Sequence, residues 1–215
     1  MQKLEISSPN VDYYHQLKDW MLPLIATAPN IVMDLGCASG VFGRKLLEVG
    51  KAKEMYGAEM FESAAAQAAE IYTKVYVGDV EQLDLEFDNK FDYVICGDIL
   101  EHLKDPYTVT RNIFQWLKPG GSLFVCLPNV RNYRLLSDLI FRGKWEYVSA
   151  GILDRTHLRF FTRGSLRVML EDAGFNVYHE HMVIEGPKKT LFNRITFGVF
   201  DEFLAAQSFC CGRKP

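Results

Sequence analysis

Residues 31–40 read IVMDLGCASG. Ile31–Leu35 is a short apolar run of strand length, and residues 41–49 after it carry a helical apolar pattern. Gly36 and Gly40 in the link let the backbone turn sharply and approach a ligand closely. The first turn of the following helix offers backbone N–H groups with no intrahelical partner. Outward from this stretch the same alternation recurs. Residues 54–58 form a second strand, 64–71 lie on its helix, and 74–77 form a third strand. Residues 91–96, FDYVIC, read as a fourth strand buried on both faces. Asp105-Pro106 opens a helix, with Asp as cap and Pro in the first turn. Lys118-Pro119-Gly120-Gly121 ends it in a turn, and 122–127 is the fifth strand. Five strand–helix alternations with short links imply parallel strands, right-handed crossovers and helices on both faces of one sheet. Beyond residue 129 the alternation weakens. A helix over 163–173 stops at Gly174, 175–183 and 207–212 read as two last strands, and 196–206 as a helical stretch between them.

The chain has 215 residues, which suits a single domain. Hydrophobic residues make up 48% and charged residues 24%, the balance of a folded globular chain and not of a disordered one. The formal net charge of −3 gives no global positive field, so a nucleic-acid partner is not expected. No apolar run reaches the roughly 18 residues that span a bilayer, and residues 1–10 lack the pattern of a secretory leader. Five cysteines at 37, 96, 126, 210 and 211 form no C-x-x-C pair. An odd, scattered set argues against a disulfide framework and for a reducing, cytoplasmic setting.

Ligands of parallel sheets bind outside the C-terminal ends of the strands. There the loop DLGCASG lacks the G-x-G-x-x-G of a pyrophosphate site. A carboxylate at Asp34 repels a pyrophosphate and suits a cationic ligand. Glu59 follows Asp34 by 25 residues, where an acid accepts hydrogen bonds from both hydroxyls of a ribose. Asp79, in Gly78-Asp79-Val80 after the third strand, is placed to accept from the exocyclic amine of adenine. Together these positions ask for a ribose, an adenine and a positively charged tail without phosphate. The plain structural reading of the loop is a tight strand-to-helix turn with no ligand.

These motifs resemble those of the class I S-adenosylmethionine-dependent methyltransferases, from about residue 31 to the C-terminus. DLGCASG is similar to their glycine-rich first motif, with Ala38 in place of the usual middle glycine. Glu59 matches the ribose acid and GDV the adenine motif. FDYVICGDILEHLKDP and LKPGG match the fourth and fifth strand signatures, and LPN with GILDRTHLRFFT resembles a subgroup near the ubiquinone-type O-methyltransferases. The resemblance implies a single Rossmann-like α/β domain over 1–215, with a seven-stranded, mostly parallel sheet whose last strand is antiparallel. It implies S-adenosyl-L-methionine as cofactor, bound by Asp34, Gly36, Cys37, Gly40, Glu59, Met60, Asp79, Val80 and Gly97. It also implies in-line methyl transfer, with S-adenosyl-L-homocysteine as product and the hydroxyl of a small-molecule or carbohydrate acceptor as target.

A hydroxyl acceptor needs its proton removed, or its pKa lowered by a base or a metal. Gly97-Asp98-Ile99-Leu100-Glu101-His102 ends the fourth strand beside the expected methyl group. His102 titrates near neutral pH and is the general-base candidate, with Asp98 beside it. The plainer reading is that Glu101 and His102 only hydrogen-bond the loop. A sharper one adds His157: Asp98, Glu101, His102 and His157 offer two carboxylates and two imidazoles to a divalent cation. That set is similar to the metal-binding E-x-x-E-H and distal His of the small-RNA 3′-end methyltransferases, and its first part to the ubiquinone O-methyltransferases. Asp98 here is one methylene shorter than their first Glu. Against it stands His157 as a hydrogen-bonder to its own loop.

Residues 129–163 hold seven Lys or Arg against three Asp or Glu, while the rest of the chain holds 17 against 24. This reversal of sign follows the fifth strand and marks an acceptor-side insertion over the site. Tyr133, Trp145, Tyr147, Phe160 and Phe161 are interleaved there with Arg131, Arg134, Arg142, Lys144, Arg155 and Arg159. One reading is a pocket for an anionic acceptor, and the other a solvated basic face. Residues 1–30, with Tyr13, Tyr14 and His15 before apolar Leu17, Trp20, Met21 and Leu24, read as a lid helix over the cofactor. The apolar stretch 192–203 reads as cover for the sheet edge or as a homodimer contact. Two further readings stay open: a cofactor-binding scaffold without chemistry, favoured by Ala38 alone, and a nicotinamide oxidoreductase, disfavoured by the missing phosphate-seating glycines.

Overall fold

The computed structural model describes residues 19–215. A 3-10 turn at Asp19–Leu24 leads into β1 (Ile31–Leu35), α1 (Val41–Glu48), β2 (Glu54–Glu59), α2 (Glu62–Ala69), β3 (Lys74–Val77) and β4 (Phe91–Gly97). A second 3-10 turn, Leu100–His102, precedes α3 (Pro106–Trp116), β5 (Leu117–Pro128), α4 (Tyr133–Arg142) and α5 (Arg163–Asp172). Then follow β6 (Asn176–Val183), α6 (Pro187–Ile195), α7 (Asp201–Leu204) and β7 (Gln207–Arg213). The seven strands form one sheet in the order β3-β2-β1-β4-β5-β7-β6. β1 to β5 pair in parallel, and β7 inserts antiparallel between β5 and β6. The expected seven-stranded sheet with an antiparallel last strand is therefore present. The chain winds outward from β1 to β3, then returns to place β4 on the other side of β1. That reversal opens a crevice at the C-terminal ends of β1 and β4.

Successive strand residues face opposite layers, which explains the near-continuous apolar runs. Met33, Leu35, Val94, Cys96, Leu123 and Val125 pack with Ile113 of α3 and Leu166 of α5. Val32, Met55, Ile95, Phe124, Phe209 and Cys211 pack with Phe42 and Leu46 of α1 and with Met21 of the first turn. All five cysteines are buried, as small apolar residues of these layers.

Several boundaries depart from the sequence reading. β5 starts at Leu117, directly after α3, so Lys118-Pro119-Gly120-Gly121 is a break in the β4–β5 register and not a separate turn. Of the helix expected over 196–206 only α7 forms, over Asp201–Leu204; α6, which the sequence reading did not foresee, ends before it at Ile195, and Phe197 and Gly198 take positive φ (51° and 78°) between the two. α4 is absent from the sequence reading although Leu135, Leu136, Leu139 and Ile140 recur at helical spacing; it buries none of them, and the Asn132 side chain caps it by accepting from the Arg134 N–H. The lid tyrosines Tyr13 and Tyr14, with His15 and Leu17, lie outside the described residues. Met21 within the first 3-10 turn is buried against the sheet, and the Trp20 ring meets Phe209 edge-on at 4.4 Å. Asp92 sits at the opposite end of the sheet, where it accepts from the Ile31 N–H and pairs with Lys118 at 2.8 Å.

Candidate active site

The donor end is built from the tips of β1, β2 and β3. Gly36, Ala38 and Gly40 all take left-handed backbone, with φ of 67°, 46° and 78°, and curl the loop over the end of β1. Two of the three are glycine, for which this conformation is free of steric cost; the third carries a methyl. Ala38 is held there because its N–H donates to Glu59 Oε2 at 2.9 Å. Glu59 Oε1 accepts from the Phe61 N–H, also at 2.9 Å. Each carboxylate oxygen of Glu59 thus spends one lone pair on the loops and keeps another for a hydroxyl. Gly40 is the N-cap of α1 and offers no side chain to its first turn, which leaves that turn's N–H groups to a ligand.

Asp34 lies near the C-terminal end of β1. It is fully buried, and its Oδ2 accepts from the Tyr72 hydroxyl at 2.8 Å. Burial, with the Asp34 charge adding to it, holds the Tyr72 hydroxyl well above its usual range. It therefore stays protonated as the donor. Tyr72 is a residue the sequence reading missed. Its signal lay in glycines with no turn to explain them: a Cβ at Gly43 would stand 2.3 Å from the Tyr72 ring, and one at Gly57 would stand 2.9 Å from it. The Gly57 Cβ would also stand 2.6 Å from Cys37 Sγ, so the Cys37 side chain turns to β2 and only its backbone lines the loop.

Met60, beyond Glu59, is more than half exposed at the rim, and Val80 is half-buried against the core. Asp79 caps the turn after β3, with Oδ1 accepting from the Glu81 N–H and Oδ2 from Gln82 Nε2. Gly97 ends β4 next to these tips.

The acceptor end lies past β4. Asp98 takes a left-handed φ of 58°, donates its N–H to the Cys126 carbonyl, and accepts from the Gln207 amide of β7. This corrects the four-residue metal set and the pairing of Asp98 with His102. The side chain of Asp98 braces β4 against β7, and the group that converges is Glu101, His102 and His157, with ligand atoms within 4.8 Å of one another. Gln207 is a second residue the sequence reading did not single out.

Glu101 is almost fully buried, and neither carboxylate oxygen has a hydrogen-bond partner among the described residues. Burial, with Asp98 and Asp154 nearby, pushes its carboxyl well above the usual range. His157 Nε2 stands 3.9 Å from Glu101 Oε1. His157 Nδ1 lies 2.9 Å from the Ile152 carbonyl, and His102 Nδ1 lies 3.2 Å from the Thr156 carbonyl. A carbonyl only accepts, so each Nδ1 carries the proton and each Nε2 presents a lone pair. The two rings meet edge-on at 4.8 Å. Burial, and then the neighbouring His157, hold His102 below the ordinary histidine value.

The insertion packs onto this group: the Leu158 and Arg159 N–H groups both donate to the Glu101 carbonyl, at 2.7 and 2.9 Å. Its basic residues are largely engaged. Arg131 pairs with Glu202, Arg142 with Asp138, and Arg163 with Asp201 and Glu202. Those arginines make a paired rim and not an open anion pocket.

A crevice at the switch point of a β1-centred sheet, with a glycine loop and the acids Glu59 and Asp79 at successive strand tips, is where α/β sheets of this topology bind their ligands. The chain belongs to the methyltransferase-domain family, whose model, described as "Methyltransferase domain", matches residues 10–180. It is 32% identical over 167 residues to a ubiquinone biosynthesis O-methyltransferase of Pseudomonas fluorescens, covering 74% of this chain and 70% of that one. Among solved structures it is similar to an S-adenosylmethionine-dependent methyltransferase of Archaeoglobus fulgidus. That match has a TM-score of 0.70 at 17% identity and covers 94% of each chain. A second, from Mesorhizobium loti, has a TM-score of 0.67 at 18% identity, covering 93% of this chain and 99% of that one. The protein is an S-adenosylmethionine-dependent methyltransferase. The donor end fits that cofactor: loops that a ligand's backbone contacts require are left-handed, and both acids retain acceptor capacity toward hydroxyl and amine groups. No helix among the described residues is long and apolar enough to cross a membrane.

Proposed function

We propose that this enzyme methylates a hydroxyl of a small-molecule acceptor, with a metal-binding acceptor centre made by Glu101, His102 and His157. One observation carries this reading. The buried Glu101 carboxylate has no hydrogen bond among the described residues, and a ring nitrogen from each of His102 and His157 lies within 4.8 Å of it. A buried carboxylate without a partner is costly, and histidines that donate Nδ1–H to carbonyls are oriented as metal ligands commonly are. A divalent cation held there would act as a Lewis acid that lowers the pKa of an acceptor hydroxyl. Sulfonium methyl transfer is an in-line displacement from a leaving group that its own positive charge activates.

The chain's residues supply alignment and exclusion of water. Gly36, Cys37 and Gly40 shape the loop from the backbone, and Asp34 acts on it from beneath through Tyr72. Glu59 accepts the ribose hydroxyls, Asp79 the adenine amine, and Met60 and Val80 flank the base. Gly97 borders the reacting end. Asp98 fixes the β4 turn for the residues that follow it. The insertion 129–163 forms the acceptor wall, which suits a vicinal diol of a phenol or a sugar. A second reading keeps His102 as the general base without metal. Its support is the neutral ring that burial maintains.

The test is turnover on a panel of catechols, sugar diols and amines after chelation, then with magnesium, manganese or zinc restored. The proposal expects methylated diols, loss on chelation and recovery with one of the ions. Full turnover by the metal-free enzyme leaves His102 as base. Transfer to amines and not hydroxyls contradicts the acceptor class.

A further inference from the structure

The two histidines of the acceptor centre take their orientation from one turn. The Ile152 carbonyl holds His157 Nδ1, and the Thr156 carbonyl holds His102 Nδ1. Those carbonyls lie two residues before and two residues after Asp154. The turn comes from the insertion, whereas His102 belongs to the 3-10 turn past β4, so the orientation of His102 depends on a segment more than 50 positions away.

Asp154 ties that turn together. Its Oδ1 accepts from the Thr156 N–H at 2.8 Å and from the Thr156 hydroxyl at 2.6 Å. Its own N–H donates to the Gly151 carbonyl, and its carbonyl accepts from the His157 N–H, at 3.1 and 3.0 Å. The Val148 N–H donates to the Leu153 carbonyl and the Arg155 N–H to the Val148 carbonyl, which closes the base of the turn on either side of Asp154.

Thr156 is therefore pinned at both of its peptide planes by one residue. The carboxylate of Asp154 holds the plane before it, and the carbonyl of Asp154 holds the plane after it. In a trans peptide the N–H and C=O point in opposite directions. The bond from the His157 N–H to Asp154 thus aims the Thr156 carbonyl away from Asp154, and His102 Nδ1 stands there. A carboxylate suits this place, because bonds to an ionised acceptor are stronger than neutral ones. Outer groups that orient an imidazole fix its tautomer and its ring plane.

The geometry points to Asp154 as the positioning residue of the acceptor centre: through Thr156 and the turn it holds both imidazoles with Nδ1 protonated and Nε2 free to act. This deepens the proposed function and rests on it, since it requires His102 and His157 to work at the acceptor.

The test compares Asp154→Ala and Asp154→Asn in the full chain. The readouts are kcat on a catechol, donor KM, zinc affinity by competition with a chromogenic chelator, and the denaturant midpoint. Asp154→Ala should lower kcat and zinc affinity by roughly ten- to a hundredfold, with the donor KM unchanged. Asp154→Asn keeps an oxygen for Thr156 and should restore most of both. Thr156→Val deletes one of the two bonds and should lower kcat by roughly fivefold; it decides the matter if Asp154→Ala does not fold. In the His102→Ala/His157→Ala background, Asp154→Ala should lower the residual kcat no further, because its effect runs through those rings. A turn cap with a structural role alone would instead shift the midpoint and the donor KM together with kcat. That pattern overturns the proposal, and so does wild-type kcat in Asp154→Ala or a further loss in the double-histidine background. Full turnover by His102→Ala/His157→Ala would overturn the acceptor centre itself, and this proposal with it.

Discussion

The donor end and the acceptor end of the crevice are built by different means. At the donor end the shape is backbone: three left-handed residues within five positions, fixed from beneath by Tyr72 and from the side by Glu59. At the acceptor end the shape is side chain. Glu101 and His102 come from a 3-10 turn, and His157 arrives from a segment 55 positions later. A backbone cradle tolerates changes of side chain but not added volume. A side-chain centre tolerates backbone variation but not the loss of one functional group. The two ends should therefore fail in different ways.

The largest effect belongs to the acceptor end. His102→Ala and His157→Ala should each lower kcat by about a hundredfold or more, the usual scale for an acid–base or metal-activating group. Affinity for S-adenosylhomocysteine, measured by calorimetric titration, should hardly change. Donor affinity that falls in parallel with kcat would blur the division.

Next comes added volume at the donor end. Gly57→Ala places a methyl 2.6 Å from Cys37 Sγ and 2.9 Å from the Tyr72 ring. Overpacking of this kind costs about 1–3 kcal/mol, to be read from denaturant midpoints. Donor affinity should drop with it, because the same contacts support the loop. An unchanged midpoint would show that Tyr72 does not brace the loop.

Tyr72→Phe should cost about 1 kcal/mol through its lost hydrogen bond to a buried carboxylate. The loss should appear in stability and in the dissociation rate of S-adenosylhomocysteine, with little change in kcat. Smallest of all is Ala38→Gly. Relief of a left-handed alanine is worth about 1 kcal/mol, offset in part by the looser unfolded chain. Its midpoint should therefore move up by a few tenths of a kcal/mol or stay level. A marked fall in stability would mean that the Ala38 methyl makes a contact the loop depends on.

How much of this was legible in the sequence follows the same division. The positions of the β1 loop, Glu59 and Asp79 at strand tips could be read, because tips are marked by where an apolar run stops. The bond from Tyr72 to Asp34 could not. Whether an acid at the end of a buried strand faces a ligand or a neighbouring tyrosine depends on Tyr72, 38 residues away. At the acceptor end the grouping of Glu101, His102 and His157 was legible, but Asp98 was wrongly added to it. Asp98 has the right spacing, yet its left-handed backbone and its bond to Gln207 direct it to β7. α4 was missed although its apolar Leu135, Leu136, Leu139 and Ile140 recur at helical spacing, because it lies where the strand–helix alternation that guided the reading has ended.

The most direct test of this division is the methyl-transfer rate of Glu101→Gln at saturating S-adenosylmethionine, measured on a catechol acceptor with divalent metal present. The amide keeps the shape and removes the charge. The account predicts a fall in kcat of about a hundredfold or more with the donor KM unchanged. An unaltered kcat, or a loss that appears mainly in the donor KM, would contradict it.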